Sequence, residues 1–193
     1  MSDARPVGAV VLAGGASRRF GSPKQLAMVD GRTLLEHAID GALRAGLAPI
    51  AVVVPIWLAE TAGADDDRLR WVRNPFPERG MSVSLRLGLA ALGNDVGAAV
   101  ILLGDQPRLG EERIAAILAE RGPRPIVAAI ADGVGAPPVL IERSHFHLAD
   151  ELGGDIGLRQ LIRSHADLVR HVPVASHPLD VDTPDDLARM AGP

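Results

Sequence analysis

Residues 7–24 read VGAVVLAGGASRRFGSPK, a short apolar run that breaks into two glycines and then gathers three cations. The β-branched run Val7–Leu12 has the form of a strand buried on both faces, with no alternation that would leave one face wet. Gly14 and Gly15 allow the backbone to bend and approach a ligand closely, so that successive N–H groups can point at phosphate oxygens. Arg18, Arg19 and Lys24 can then neutralise the remaining negative charge. The spacing matches neither GxGxxG nor GxxxxGK[ST], which excludes a dinucleotide fingerprint and a P-loop. Two glycines alone would be an ordinary turn; the strand before them and the cations after them point to a phosphate loop.

Outward from this stretch, apolar runs and helical patterns alternate. Pro49–Val54, Leu69–Val72, Ala98–Leu103, Pro125–Ile130 and Pro138–Ile141 read as strands, and Leu168–Val174 as an edge strand, since Pro173 lacks a ladder donor. Thr33-Leu34-Leu35-Glu36 is a capping box opening a helix to about Ala45, with Gly46 closing it. Ser82–Leu92, Glu111–Arg121 and Asp155–His165 carry helical spacing. Thr183-Pro184-Asp185-Asp186 caps a last helix, with Pro184 in the first helical position. Strands alternating with helices imply a three-layer α/β/α fold, a doubly wound, mostly parallel sheet of Rossmann-like type. Ala64-Asp65-Asp66-Asp67 reads as a solvated acidic loop rather than a metal site.

The chain has 193 residues, 47% hydrophobic and 23% charged, and fits one domain, 1–193. A net charge of −4 argues against nucleic-acid and membrane surfaces as partners. No apolar stretch reaches the ~20 residues needed to span a bilayer, and the N-terminus reads as no signal peptide, so a cytoplasmic protein is expected. The absence of cysteine excludes disulfides, thiolate zinc sites and a cysteine nucleophile. Nineteen arginines stand against a single lysine, Lys24. A lone lysine inside the glycine-rich loop hints that a compact ammonium is needed where a planar guanidinium would not serve, the alternative being one surface lysine kept by chance.

Asp105 ends the most continuous strand run and faces the same crevice as the first loop, because open α/β sheets bind ligands beyond the carboxyl ends of their strands. Beside a triphosphate its natural task is to hold Mg²⁺, although capping the following turn would also account for it. Asp180 and Asp182 precede the last helix and could supply a second metal ligand, although complementing the helix dipole would also account for them. The six histidines are scattered, and no nucleophile–base pair emerges. Phosphoryl-type transfer to an already ionised acceptor phosphate needs none, and would rest on positioning and charge neutralisation.

These residues resemble a family. Leu12-Ala13-Gly14-Gly15, Ser17, Arg19, Gly21, Lys24 and Leu26 match the signature loop of the molybdenum cofactor nucleotidyltransferases, which attach CMP or GMP to molybdopterin. The likeness continues in order through Asn74-Pro75, Gly80-Met81-Ser82, Asp105-Gln106-Pro107, Gly154-Asp155, Gly157 and Arg159, and Asp180 to Leu187. The resemblance implies that Leu12, Ala13, Gly14, Gly15, Ser17, Asn74, Gly80 and Ser82 bind the nucleotide, with Arg19 and Lys24 on the triphosphate. It further implies Asp105 and Asp182 on Mg²⁺, and Gln106, Gly154, Asp155 and Arg159 toward a pterin acceptor. Residues up to about 107 would serve the nucleotide and 108–193 the acceptor. Leu-Ala-Gly-Gly follows the guanylyl branch, whereas the later segments follow the cytidylyl branch, so CTP is expected with GTP as the alternative. Gly135-Ala136-Pro137-Pro138-Val139 lacks the histidine common in the family, which leaves room for a different phosphorylated acceptor. A molybdoenzyme or its maturation chaperone would be the downstream partner. A non-catalytic escort for the finished cofactor is the competing class, and retention of both Asp105 and Asp182 favours the enzyme.

Overall fold

In the computed structural model, which describes residues 5–15, 20–59, 66–154, 157–176 and 180–190, the opening run is strand β1, Val7–Leu12. A short hairpin follows, β2 (Met28–Val29) and β3 (Arg32–Thr33), and leads into helix α1, Leu34–Arg44. The next elements are β4 (Ile50–Pro55), a single turn α2 (Ile56–Ala59), β5 (Leu69–Asn74) and α3 (Met81–Ala91). Then come β6 (Ala98–Leu103), α4 (Glu111–Ala119), β7 (Ile126–Ala131) and β8 (Val134–Glu142). A 3-10 segment at Arg143–Glu151, α5 (Leu158–Ser164), β9 (Val169–Pro173) and α6 (Pro184–Met190) complete the order.

The main sheet runs β5-β4-β1-β6-β8-β7-β9. β4 and β6 flank β1 in parallel, as do β5 beside β4 and β9 beside β7; only β8 runs antiparallel to its neighbours. Alternate residues of β1 feed opposite layers, as a strand buried on both faces must. Ala9 and Val11 pack with Leu35, Ala38 and Ala42 of α1 and with Ile114 and Ile117 of α4. Val10 and Leu12 pack with Leu85 and Leu89 of α3 and with Leu158 and Leu161 of α5. This is the three-layer α/β/α arrangement that the alternating pattern implies.

The capping box at α1 forms: Glu36 N–H donates to Thr33 Oγ1 at 3.1 Å, and Thr33 N–H donates to the Glu36 carboxylate at 2.7 Å. Gly46, just past the helix, takes a φ of 73°, the left-handed closure expected there. Two Asp-Gly pairs, Asp30-Gly31 and Asp132-Gly133, have positive φ at both residues and turn the β2–β3 and β7–β8 hairpins. β8 is therefore longer than the segment 138–141 expected from sequence. Its pairing with β7 shifts register between Ala128 and Ala129, opposite Pro137 and Pro138. Prolines have no N–H for the ladder, so the pairing must break there and resume. The helix expected over 155–165 begins at Leu158, after Gly157, with residues 155 and 156 outside the described ones.

Gly88 shows how tightly α3 lies on the sheet. A Cβ there would stand 2.3 Å from Val10 Cγ1 and 3.0 Å from Val53 Cγ2. Gly88→Ala is expected to lower stability by about 1–3 kcal/mol through overpacking, measurable by urea denaturation.

Candidate functional site

The glycine loop is built from the sheet upward. Past β1, Ala13 N–H donates to Val53 O at 2.9 Å and Gly104 N–H to Leu12 O at 3.0 Å, which ties the loop to the carboxyl ends of β4 and β6. The Gln25 side-chain amide, buried, donates to the carbonyls of Ala13 at 2.8 Å and Gly15 at 3.0 Å. With the Ala13 carbonyl turned to Gln25, the trans peptide directs the Gly14 N–H to the opposite side. Gln25 is a positioning residue that the sequence reading does not single out, because its burial shows only in the folded chain.

The two loop glycines differ. A Cβ on Gly14 would lie 2.6 Å from Ser84 Oγ and 3.1 Å from Asn74 Nδ2, so the protein's own packing demands glycine there. Among the described residues a Cβ on Gly15 would meet nothing within 4 Å, and no positive φ accounts for it. Gly15 instead lines an open cleft of about 620 Å³ with Gly21, Ser22, Pro23, Pro55, Ile56, Trp57 and Pro75. Trp57 is 43% exposed at this cleft and offers an aromatic face of the kind on which bases stack.

At the other end of the loop, Lys24 opens a 3-10 turn, Lys24–Leu26. Its Nζ lies 2.6 Å from Asp105 Oδ2 and 3.2 Å from Asp182 Oδ1. Three segments far apart in sequence thus converge on one ammonium. Burial alone would lower the Lys24 pKa, but Asp105 and Asp182 together raise it above the ordinary lysine value. Burial pushes the Asp105 carboxyl up; Lys24 pulls it down only in part, and Asp180 and Asp182 add to the rise.

Asp182 reaches this position through the C-terminal segment. Val181 N–H donates to Asp105 O at 3.0 Å, and the Val181 side chain is fully buried with Phe20, Val29, Leu34 and Met190. The Asp186 carboxylate accepts from Thr183 N–H at 2.8 Å and from Asp182 N–H at 3.1 Å, while Thr183 Oγ1 accepts from Asp186 N–H at 3.2 Å. This is the cap expected from the sequence, extended by one residue onto Asp182 itself. The bonds from Thr183 and Arg189 hold Asp186 down at about 2. Gln106 Nε2 donates to Asp180 Oδ1 at 2.7 Å and steadies the same segment.

The remaining expected residues fall as follows. Leu12 and Ala13 are buried at the end of β1. The Asn74 side chain donates to Ser84 Oγ at 2.9 Å and accepts from Phe76 N–H at 2.8 Å, which shapes the cleft wall. Gly80 precedes α3 with a φ of 85°, a conformation that favours glycine. Ser82 N–H donates to Gly154 O at 3.3 Å, joining the α3 entry to the segment before α5. Arg159 is exposed on α5. Ser17, Arg18, Arg19 and Asp155 lie outside the described residues. Among the histidines, His37 bonds the Val29 carbonyl at 2.8 Å and His165 the Glu151 carboxylate at 3.1 Å, both outside this convergence.

The donor set fits a hard divalent cation. Asp105 Oδ1 is buried with no hydrogen-bond partner among the described residues, as are Ser82 Oγ and Gln106 Oε1. An unpartnered carboxylate oxygen in a nearly closed site is costly unless a ligand meets it. Among the described residues no group of three or more His, Asp or Glu side chains gathers around a common point.

The chain is similar to several known proteins. Residues 9–169 match the family described as the MobA-like NTP transferase domain. The nicotine blue oxidoreductase of Paenarthrobacter nicotinovorans is 30% identical over 194 residues, covering 94% of each chain. The bifunctional protein GlmU of Sorangium cellulosum is 31% identical over 170 residues, of which this chain spans 34% of that protein's length and the match covers 80% of this chain. The crystal structure of Rv0371c from Mycobacterium tuberculosis superposes with a TM-score of 0.84 at 31% identity, covering 98% of both chains. A further structure of Rv0371c, described as a complex with manganese, superposes with a TM-score of 0.81 at 27% identity over 98% of this chain and 99% of that one. No helix among the described residues is long and apolar enough to cross a membrane.

Proposed function

The chain belongs to the family of MobA-like NTP transferase domains, and on that premise we propose that it transfers a nucleoside monophosphate, CMP from CTP, to a small phosphorylated acceptor of molybdopterin type. The observation that carries the reading is the convergence of Lys24, Asp105 and Asp182 beside the glycine loop. The parts through residue 107 hold the nucleotide, with its base in the cleft at Gly15 and Trp57 and its phosphates along the loop toward Lys24. The acceptor approaches from the side of Gln106, Gly154 and Arg159. Asp105 and Asp182 hold Mg²⁺, which when bound neutralises and orients the triphosphate.

In the reaction an acceptor phosphate oxygen attacks the α-phosphorus, the bond to the bridging oxygen breaks, and pyrophosphate leaves with the electron pair. Lys24 neutralises charge on the phosphates, and the buried walls hold the reactants in line. The acceptor oxygen is already ionised, so no side chain has to remove a proton. The sequence features shared with the cytidylyl branch support CTP, and the Leu-Ala-Gly-Gly loop supports GTP as the alternative.

A second reading is favoured by one observation, the near end-to-end likeness to a protein named as an oxidoreductase. Pyrophosphate release with CTP, GTP, ATP or UTP and molybdopterin, run beside redox turnover of nicotine blue, separates the two. Turnover of a triphosphate is expected. Redox turnover of nicotine blue without pyrophosphate release from any triphosphate would overturn the transferase reading.

Gly15→Val gives a test of the cleft alone. With no described residue within 4 Å of a Cβ at Gly15, the fold should keep its melting temperature, while nucleotide affinity falls on the order of tenfold to a hundredfold through blocked approach. Quenching of Trp57 fluorescence, measured in a Trp71→Phe background, reports the binding. Undiminished affinity would move the nucleotide out of this cleft.

A further inference from the structure

The lone lysine stands where a cation between two carboxylates would stand. Its Nζ touches Asp105 Oδ2 at 2.6 Å and Asp182 Oδ1 at 3.2 Å, and the Lys24 and Asp105 side chains are each only 19% exposed. A divalent cation that shares those two oxygens cannot share the space with an ammonium already in hydrogen-bond contact with both. Lys24, Asp105 and Asp182, with the nearby Asp180, sum to two negative charges, so it is the occupied space rather than the charge that keeps a divalent cation out.

We propose that Lys24 holds the place of the divalent cation in the nucleotide-free protein, so that the cation enters as its complex with the nucleotide and not ahead of it. The inference rests on the transferase reading above. A triphosphate supplies both what the cation needs, further oxygens, and what the displaced ammonium needs, a new anionic partner. Lysine suits the exchange because its charge is compact and its stem has four freely rotating carbons, so one nitrogen can leave two carboxylates for a nearby phosphate without moving the backbone. Gln25, next in the chain, stays bonded to Ala13 and Gly15 and keeps the loop in place while its neighbour moves. The same logic gives the protein a preference among forms of its substrate. Free nucleotide and free cation each find the site half-built for the other, and only the complex satisfies all three side chains.

The test is the binding of Mn²⁺, followed by the electron paramagnetic resonance signal of the free aquo ion, for the full chain and for Lys24→Met. Without nucleotide, the variant is expected to bind Mn²⁺ about 10- to 100-fold more tightly than the original chain. With an α,β-methylene triphosphate of the base that binds, the original chain should gain Mn²⁺ affinity and the variant should lose its advantage. If Lys24→Met and a second variant, Lys24→Gln, both fold and bind Mn²⁺ no more tightly than the original chain without nucleotide, the proposal is overturned. It is also overturned if adding Asp105→Asn to Lys24→Met leaves the enhanced binding intact, because the cation then sits elsewhere. Tighter binding in the variant, with no effect of any triphosphate on the original chain, would keep the place-holding role but overturn joint entry and with it the transferase reading.

Discussion

Asp105→Asn should lower pyrophosphate release on the order of 10³-fold or more while the protein remains folded. Asp105 brings to the site both the oxygen that touches Lys24 and an oxygen that is buried with no partner among the described residues. An amide of the same shape keeps the packing but halves the negative charge available to a cation. Folding should tolerate the change, because burial already works against the ionised carboxyl, as its raised pKa shows. Thermal unfolding and single-turnover pyrophosphate release on the same preparation separate the two effects. Turnover within a few-fold of the original chain would remove Asp105 from metal binding.

Lys24→Arg should lose activity on the order of 10²-fold although the charge is kept. One nitrogen of Lys24 serves carboxylates from two segments, at 2.6 and 3.2 Å, in a site with little spare room. A guanidinium presents a planar fork that pairs with one carboxylate side-on and cannot collapse its charge to a point between two. It also resists leaving such a pair once formed. A fully active arginine variant would mean that the one lysine among nineteen arginines sits here without chemical reason.

Much of this architecture is legible in the residues themselves, and the exceptions have physical causes. β1, β4 and β6 are unbroken apolar runs because each is covered on both faces, and such runs announce themselves. Both capping boxes, Thr33 with Glu36 and Thr183 with Asp186, form as their spacing requires. The two hairpins are encoded in Asp30-Gly31 and Asp132-Gly133, yet the strands they join are either very short or interrupted by paired prolines, which hides the period. Within the site, the identities of Lys24, Asp105 and Asp182 follow from loop position and resemblance. Their mutual contact does not, because it depends on Val181 finding a pocket between Phe20, Val29, Leu34 and Met190, a packing event with no local signature. The roles of Gln25 and Trp57 are equally silent in one dimension, since an amide that staples two carbonyls and an aromatic at a cleft mouth look like any others in a sequence.

The C-terminal anchor has a consequence for how the protein fails. Asp182 is carried by a segment whose apolar hold is a small cluster apart from the two large ones that fasten the sheet. Such a unit can open on its own at a free-energy cost well below that of melting the whole molecule. When it opens, one of the two carboxylates departs and Lys24 keeps a single partner of the pair, while every strand of the sheet stays paired. Loss of competence on warming should therefore precede loss of secondary structure, and a ligand that bridges Asp105 to Asp182 would act as a clasp, fastening this segment at the same moment that it equips the molecule to react.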